Sequence, residues 1–181
     1  MKHPLDTFRY CPRCGSRGFT VNNAKSKQCR DCGFVYYFNP CAATVALLVN
    51  EKNELLVARR AHEPARGTLD LPGGFTDPYE TAEEGLRREV REETGLELHS
   101  ISFLFSLPNI YPYSGFEVHT LDLFFRCQAE ETTRLQPMDD VEELFFLPLS
   151  QIRPEEFGLT SVRKGVRLFL CQSVHTDLRE G

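Results

Sequence analysis

The chain has 181 residues, 41% hydrophobic and 26% charged, with a net charge of −5 at pH 7. That is enough for one well-packed core and a small accessory module. No apolar run approaches the roughly 20 residues that cross a bilayer, which excludes a helical membrane protein, and the opening MKHPLDTFRY has no apolar signal core, so a cytoplasmic location is expected.

The charge is uneven along the chain. Residues 1–38 hold seven Lys or Arg against Asp6 and Asp31, or +5, whereas the remainder holds 14 basic and 24 acidic residues, or −10. Two pieces of different character follow, 1–38 and 39–181. A basic tip suits contact with a nucleotide or nucleic acid, but a solvated module kept soluble by Lys and Arg accounts for it as well, and nucleic acid is not the expected partner. The first piece carries Cys11-Pro12-Arg13-Cys14-Gly15 and Cys29-Arg30-Asp31-Cys32-Gly33. Each pair can set two sulfurs on one side of a tight turn, with the following glycine supplying a positive φ. Doubled pairs separated by a short hairpin predict a structural Zn²⁺ held by Cys11, Cys14, Cys29 and Cys32. The segment is too poor in apolar residues to fold without the metal. The other cysteines, Cys41, Cys127 and Cys171, stand singly among apolar residues and read as small core side chains in a reducing compartment.

Asn39-Pro40 marks the boundary. Ala42–Asn50 and Glu54–Arg60 read as two strands around the turn Glu51-Lys52-Asn53, and a loop with Pro64 and Gly67 leads to Leu69-Asp70-Leu71. Further on, His99–Leu107 and Glu117–Gln128 read as strands joined by a loop, Pro108–Gly115, with two prolines and two tyrosines. Glu142–Leu147 is a short strand. Val162, Val166, Phe169 and Leu170 fall at helical spacing within Ser161–Ser173.

Between these lies GFTDPYETAEEGLRREVREETGL, Gly74 to Leu96. Thr81 and Glu84 have the spacing of a capping box and Gly95 stands where a helix should end, so a helix of about three and a half turns is expected. Glu89, Glu92 and Glu93 share an arc of about 100°, flanked by Leu86 and Val90. Three carboxylates so placed repel unless something positive sits among them, and hard divalent cations, Mg²⁺ or Mn²⁺, meet that need. Arg88 is placed to pair with a neighbouring carboxylate. An exposed helix laced with salt bridges would look similar, but the preceding Leu71-Pro72-Gly73-Gly74 turns the backbone sharply toward the helix, where a carbonyl can join a metal.

The segment resembles the signature of the Nudix hydrolase family, G-x5-E-x7-R-E-U-x-E-E-x-G-U with U a bulky aliphatic residue: Gly74, Glu80, Arg88, Glu89, Val90, Glu92, Glu93, Gly95 and Leu96 match it. The resemblance implies an α/β fold, the α/β/α sandwich with a mixed sheet, here preceded by a zinc ribbon as in the NADH pyrophosphatase branch. It implies metal-dependent hydrolysis of a nucleoside diphosphate linked to another moiety. Glu89, Glu92 and Glu93 would hold Mg²⁺ or Mn²⁺ with the carbonyl of Gly73 or Gly74, while Arg88 orients Glu89 and Glu80 supports the loop. The water-activating base is a box glutamate or one from a later loop; Glu142, Glu143, Asp139 and Asp140 are the later candidates. The NADH pyrophosphatase branch carries Ser-Gln-Pro-Trp-Pro-Phe-Pro after the box, where this chain has Ser106 to Tyr113 and no tryptophan at all. Pro112 has the spacing of ADP-ribose hydrolases, and Tyr111 and Tyr113 suit a base or ribose. ADP-ribose, NAD(H) or FAD-like dinucleotides are therefore expected first. Nucleoside triphosphates, dinucleoside polyphosphates and a nucleotide-sensing regulator are the alternatives. Many relatives are homodimers, and the same is expected here.

Overall fold

In the computed structural model of the protein, which describes residues 3–129, 135 and 141–177, the chain parts into two units between Pro40 and Cys41. The first is an antiparallel sheet in the order β1 (Phe19–Asn23), β2 (Ser26–Cys29) and β3 (Val35–Tyr37). Its cysteine pairs form two matching turns. The Gly15 N–H donates to the Cys11 carbonyl at 2.8 Å and the Gly33 N–H to that of Cys29 at 3.0 Å. Both glycines sit at positive φ, +74° and +72°, a region that is nearly free for glycine alone. Cys11, Phe19 and Cys29 form a small core cluster in this unit, with Cys32 and Phe34 against them.

In the second unit, β4 (Cys41–Leu48), β8 (Phe116–Ala129) and β7 (Leu98–Tyr113) form one sheet in the order β4-β8-β7. The pieces β6 (Leu69–Asp70), β5 (Glu54–Arg60) and β9 (Val141–Pro148) form a second, β6-β5-β9. The first sheet is mixed: β4 runs parallel to β8 while β7 is antiparallel to it. Side chains alternate along the central strands and supply two cores. Val45 and Leu47 of β4 and Leu55 and Val57 of β5 join Phe124, Val162, Val166 and Phe169. Ala46 and Leu48, with Leu56 and Ala58, join Leu86, Val90 and Phe125. Strands buried on both faces read as the near-continuous apolar runs seen in the sequence. The helices α1 (Ala82–Thr94) and α2 (Thr160–Asp177) thus cover opposite faces, giving the expected α/β/α arrangement. Close approach on the α2 side requires Gly165: a β-carbon there would lie 2.2 Å from the buried Phe124 ring.

Two expectations are corrected. The segment Pro108–Gly115 is not a loop. Strand β7 continues to Tyr113, and the hairpin closes through Ser114 and Gly115, at φ +51° and +73°, the left-handed pair that a two-residue hairpin turn demands. Pro108 and Pro112 are accommodated because β7 is the edge of its sheet, where an N–H on the open side has no ladder partner to lose. Of the three single cysteines, Cys127 alone is a core residue, its thiol pushed up to about 12 by burial. Cys41 is exposed where β4 begins, and Cys171 is exposed on α2, off the stripe formed by Val162, Val166 and Phe169.

Candidate active site

The box helix forms as its caps dictate. The Thr81 hydroxyl accepts from the Glu84 N–H at 3.2 Å, the Glu84 carboxylate accepts from the Thr81 N–H at 2.8 Å, and Gly95 closes the far end in a left-handed conformation. Leu86 and Val90 are fully buried on the sheet, which aims Glu89 and Glu93 along its edge toward the Pro-Gly-Gly turn. That turn is clamped to β4: the Ala46 N–H donates to the Pro72 carbonyl and the Thr44 N–H to the Gly74 carbonyl, each at 2.8 Å. Side chains are excluded from both glycines. Gly73, at φ +137°, would bring a β-carbon to 2.1 Å from the Thr44 carbonyl oxygen, and at Gly74 it would lie 2.7 Å from the Glu89 carboxylate. The Glu93 carboxylate in turn accepts from the Gly73 N–H at 2.9 Å.

Arg88 organises the remaining carboxylates. Its guanidinium forks onto Glu80 at 2.8 and 3.0 Å and donates to the Phe75 carbonyl at 3.0 Å. Its third nitrogen lies 2.8 Å from Glu89 and 3.0 Å from Glu92. Hydrogen bonds from Arg88 hold Glu80 below the usual carboxylate range, whereas burial raises Glu89 despite the same arginine. The three helix glutamates do not converge on a point. Among the described residues, the four cysteines are the only set of three or more His, Cys, Asp or Glu whose ligating atoms lie within 4.8 Å of one another. The positive charge expected among the glutamates is supplied here by Arg88, with Glu93 tethered to the turn.

Glu89, Glu93, Gly73 and Gly74 form one wall of a cavity of about 760 Å³. The expected Tyr111 and Tyr113 line it as well, their rings stacked 6.4 Å apart, and Phe75 meets Tyr111 edge-on at 6.1 Å. Pro112 alternates to the other face of β7 and is not among the lining residues. Glu92 is exposed and also outside the lining. Glu142 and Glu143 are exposed on β9, Glu143 paired with Arg59 at 3.2 Å, and neither lines the cavity. Asp139 and Asp140 lie outside the described residues.

The cavity also has residues that sequence reading missed: Arg60, Asp70, Thr120 and Asp122. Arg60 pairs with Asp70 and reaches the Tyr111 hydroxyl at 3.3 Å. Burial still raises Asp70 above the usual carboxylate range, against the pull of Arg60. The available signal was an acid placed inside an apolar strand, Leu69-Asp70-Leu71 and Leu121-Asp122-Leu123, since a buried carboxylate is costly unless it has partners.

The thiolate set fits the expected zinc. Four thiolates about 2.3 Å from a tetrahedral zinc stand about 3.8 Å apart. The Cys11–Cys32 and Cys14–Cys29 sulfurs are 3.7 and 3.6 Å apart. The backbone N–H of Cys32 pulls the Cys29 thiol down to about 6. At Cys14 the Ser16 N–H also favours thiolate, yet the neighbouring sulfurs push it up to about 12. A cation relieves that conflict. On the helix, carboxylates and a backbone carbonyl are hard oxygen donors suited to Mg²⁺ or Mn²⁺.

The chain resembles the NAD-capped RNA hydrolase NudC of Vibrio parahaemolyticus, with 33% identity over 114 residues covering 62% of this chain and 42% of that protein. The same-named protein of Haemophilus influenzae is 30% identical over 116 residues, 63% of this chain and 44% of that one. The matches thus span about two fifths of the length of these curated relatives. Among solved structures, a Nudix hydrolase from Nitrosomonas europaea shares the fold over 93% of both chains, with a TM-score of 0.72 and 19% identity. The Nudix domain of Shewanella oneidensis NrtR, crystallised with ADP ribose, matches 78% of this chain and 90% of its own, with a TM-score of 0.58 and 19% identity. The NUDIX domain model itself matches residues 39–168, and on that match this chain belongs to the Nudix family.

Proposed function

We propose that the second unit hydrolyses the diphosphate of a nucleoside diphosphate linked to another moiety, with ADP-ribose and NAD(H)- or FAD-like dinucleotides as the substrate class. The observation that carries this reading is the cavity itself, with Glu89, Glu93 and Gly73 on one wall and Phe75, Tyr111 and Tyr113 lining it as well. Carboxylates able to hold a divalent cation suit the diphosphate, and aromatic rings suit a base. The names of the NudC relatives support a nicotinamide dinucleotide end.

Glu89, Glu92 and Glu93 would hold Mg²⁺ or Mn²⁺, with a backbone carbonyl from the turn. The Gly73 carbonyl suits that role better, because the Gly74 carbonyl already accepts from Thr44. When bound, the cation neutralises the diphosphate and brings the pKa of a coordinated water toward neutrality. The protein's own part is positional. Arg88 fixes Glu89 and Glu92 by hydrogen bonds, Glu80 fixes Arg88, and Gly73 fixes Glu93. One water oxygen bonds to phosphorus, the bridging P–O bond breaks, and two phosphate monoesters leave with no covalent enzyme intermediate. A box glutamate is the better-placed base, since Glu89 and Glu93 line the cavity whereas Glu142 and Glu143 face solvent outside it. The four cysteines would hold a structural Zn²⁺ that takes no part in turnover.

The test is a panel of ADP-ribose, NADH, FAD, a dinucleoside polyphosphate and nucleoside triphosphates, each with Mg²⁺ or Mn²⁺ and with products separated by chromatography. Cleavage of the first three to two monophosphates is expected. Pyrophosphate release from the triphosphates alone would overturn the substrate class, and no product from any of them would favour a nucleotide-sensing role.

A further inference from the structure

The cavity changes character along one face of the β7–β8 hairpin. Val118, Thr120 and Asp122 alternate along β8 and all line it. Across the ladder, Tyr111 pairs with Val118 and Asn109 with Thr120, and both of these line it too. At about 3.3 Å per residue, the run from Val118 to Asp122 extends about 13 Å, the scale of a nucleoside. Its hairpin end is aromatic. Its inner end is acidic: Asp122 pairs with Ala43 of β4, which bridges to Phe75, so the carboxylate lies in the same row as the aromatic cluster's Phe75.

Asp122 is only 5% exposed. Its carboxylate accepts from the Thr120 hydroxyl at 2.5 Å and from the Ser161 hydroxyl, both residues being buried. These are neutral donors, unlike the guanidinium that Arg60 gives to Asp70. Each carboxylate oxygen has two lone pairs, so two hydroxyls leave Asp122 room to accept further hydrogen bonds. A neutral group with N–H or O–H donors is attracted.

We infer that Asp122 is a specificity-determining residue that receives the N–H or O–H donors of the nucleoside half of the substrate, against the Phe75–Tyr111 aromatic cluster. This rests on the diphosphate-hydrolysis reading above. The donors come from an exocyclic amino group on the base or from the hydroxyls of its ribose. A site built to accept a donor rejects the analogue that lacks it far more strongly than an apolar pocket rejects a change of size.

The experiment compares kcat and KM for ADP-ribose, its hypoxanthine analogue and its 2′-deoxyadenosine analogue, in the wild type and in Asp122→Asn. ADP-ribose turnover by the wild type tests the underlying reading separately; with no turnover, both fall. With turnover, at least one analogue should lose about 10- to 100-fold in kcat/KM, chiefly through KM. A loss with hypoxanthine assigns the base amino group and a loss with the deoxy sugar assigns the hydroxyl. Asp122→Asn should shrink that gap to within about threefold. Wild-type rates within about threefold for all three compounds would overturn the inference, whether or not the variant folds, and so would an unchanged gap in a folded variant.

Discussion

Arg88 is the residue on which the carboxylates depend. A single guanidinium holds Glu80 by a fork, spans Glu89 and Glu92, and anchors the Phe75 carbonyl; those hydrogen bonds raise its own pKa still further. Lysine keeps the charge but has no planar fork. If Glu89 and Glu92 act as proposed, Arg88→Lys is expected to lower kcat by about 10- to 100-fold, the usual effect of losing a group that orients metal ligands, while the thermal midpoint moves by only a few degrees. Steady-state kinetics beside a melting curve checks this, and unaltered kcat would remove Arg88 from the positioning role. At this scale the box was legible because its carboxylates, its arginine and its glycines follow one helix and one turn. Asp122 and Arg60 were not, because their partners Ser161 and Asp70 arrive from other elements and no local spacing records that meeting.

The elements were read unequally well, for a physical reason. Helix α1 carries its own start and stop signals in Thr81, Glu84 and Gly95, so its bounds followed from local chemistry. Strand β7 carries two prolines that locally argue for a loop, and its place at a sheet edge, a tertiary fact, removes the objection. The capping box also makes a pH prediction. Bonds from the Thr81 N–H and hydroxyl hold Glu84 below the usual glutamate range. Its stabilising contribution is thus fully present above the unfolded glutamate pKa and is lost as pH falls through the lower folded value. Melting curves across the acid range should show the wild type losing stability more steeply than Glu84→Gln. Parallel acid limbs would contradict that.

For the whole molecule, the two units depend on different forces. The second buries two extended apolar clusters on either side of its strands, and its fold class was legible from alternating runs of strand and helix. The first has a small cluster of Cys11, Phe19 and Cys29, with Leu5 buried besides, so a bound metal is expected to supply much of its order. One zinc per chain is expected by elemental analysis. Chelation or Cys29→Ser should abolish hydrogen-exchange protection in residues 19–37 while the strands β4, β5 and β8 keep theirs; a metal-free protein with that protection intact would refute a zinc-held ribbon. The lining of the cavity joins residues from β4 to α2, so the proposed nucleotide site is legible only when the whole second unit is assembled. The most direct measurement is hydrolysis of ADP-ribose in ¹⁸O-water with Mg²⁺ by the wild type and Glu93→Gln, followed by mass spectrometry. The wild type should yield AMP and ribose phosphate with one ¹⁸O in a phosphate, and the variant should be slower by on the order of 100-fold or more. Absence of cleavage by the wild type, or equal cleavage by a folded Glu93→Gln, would contradict this account.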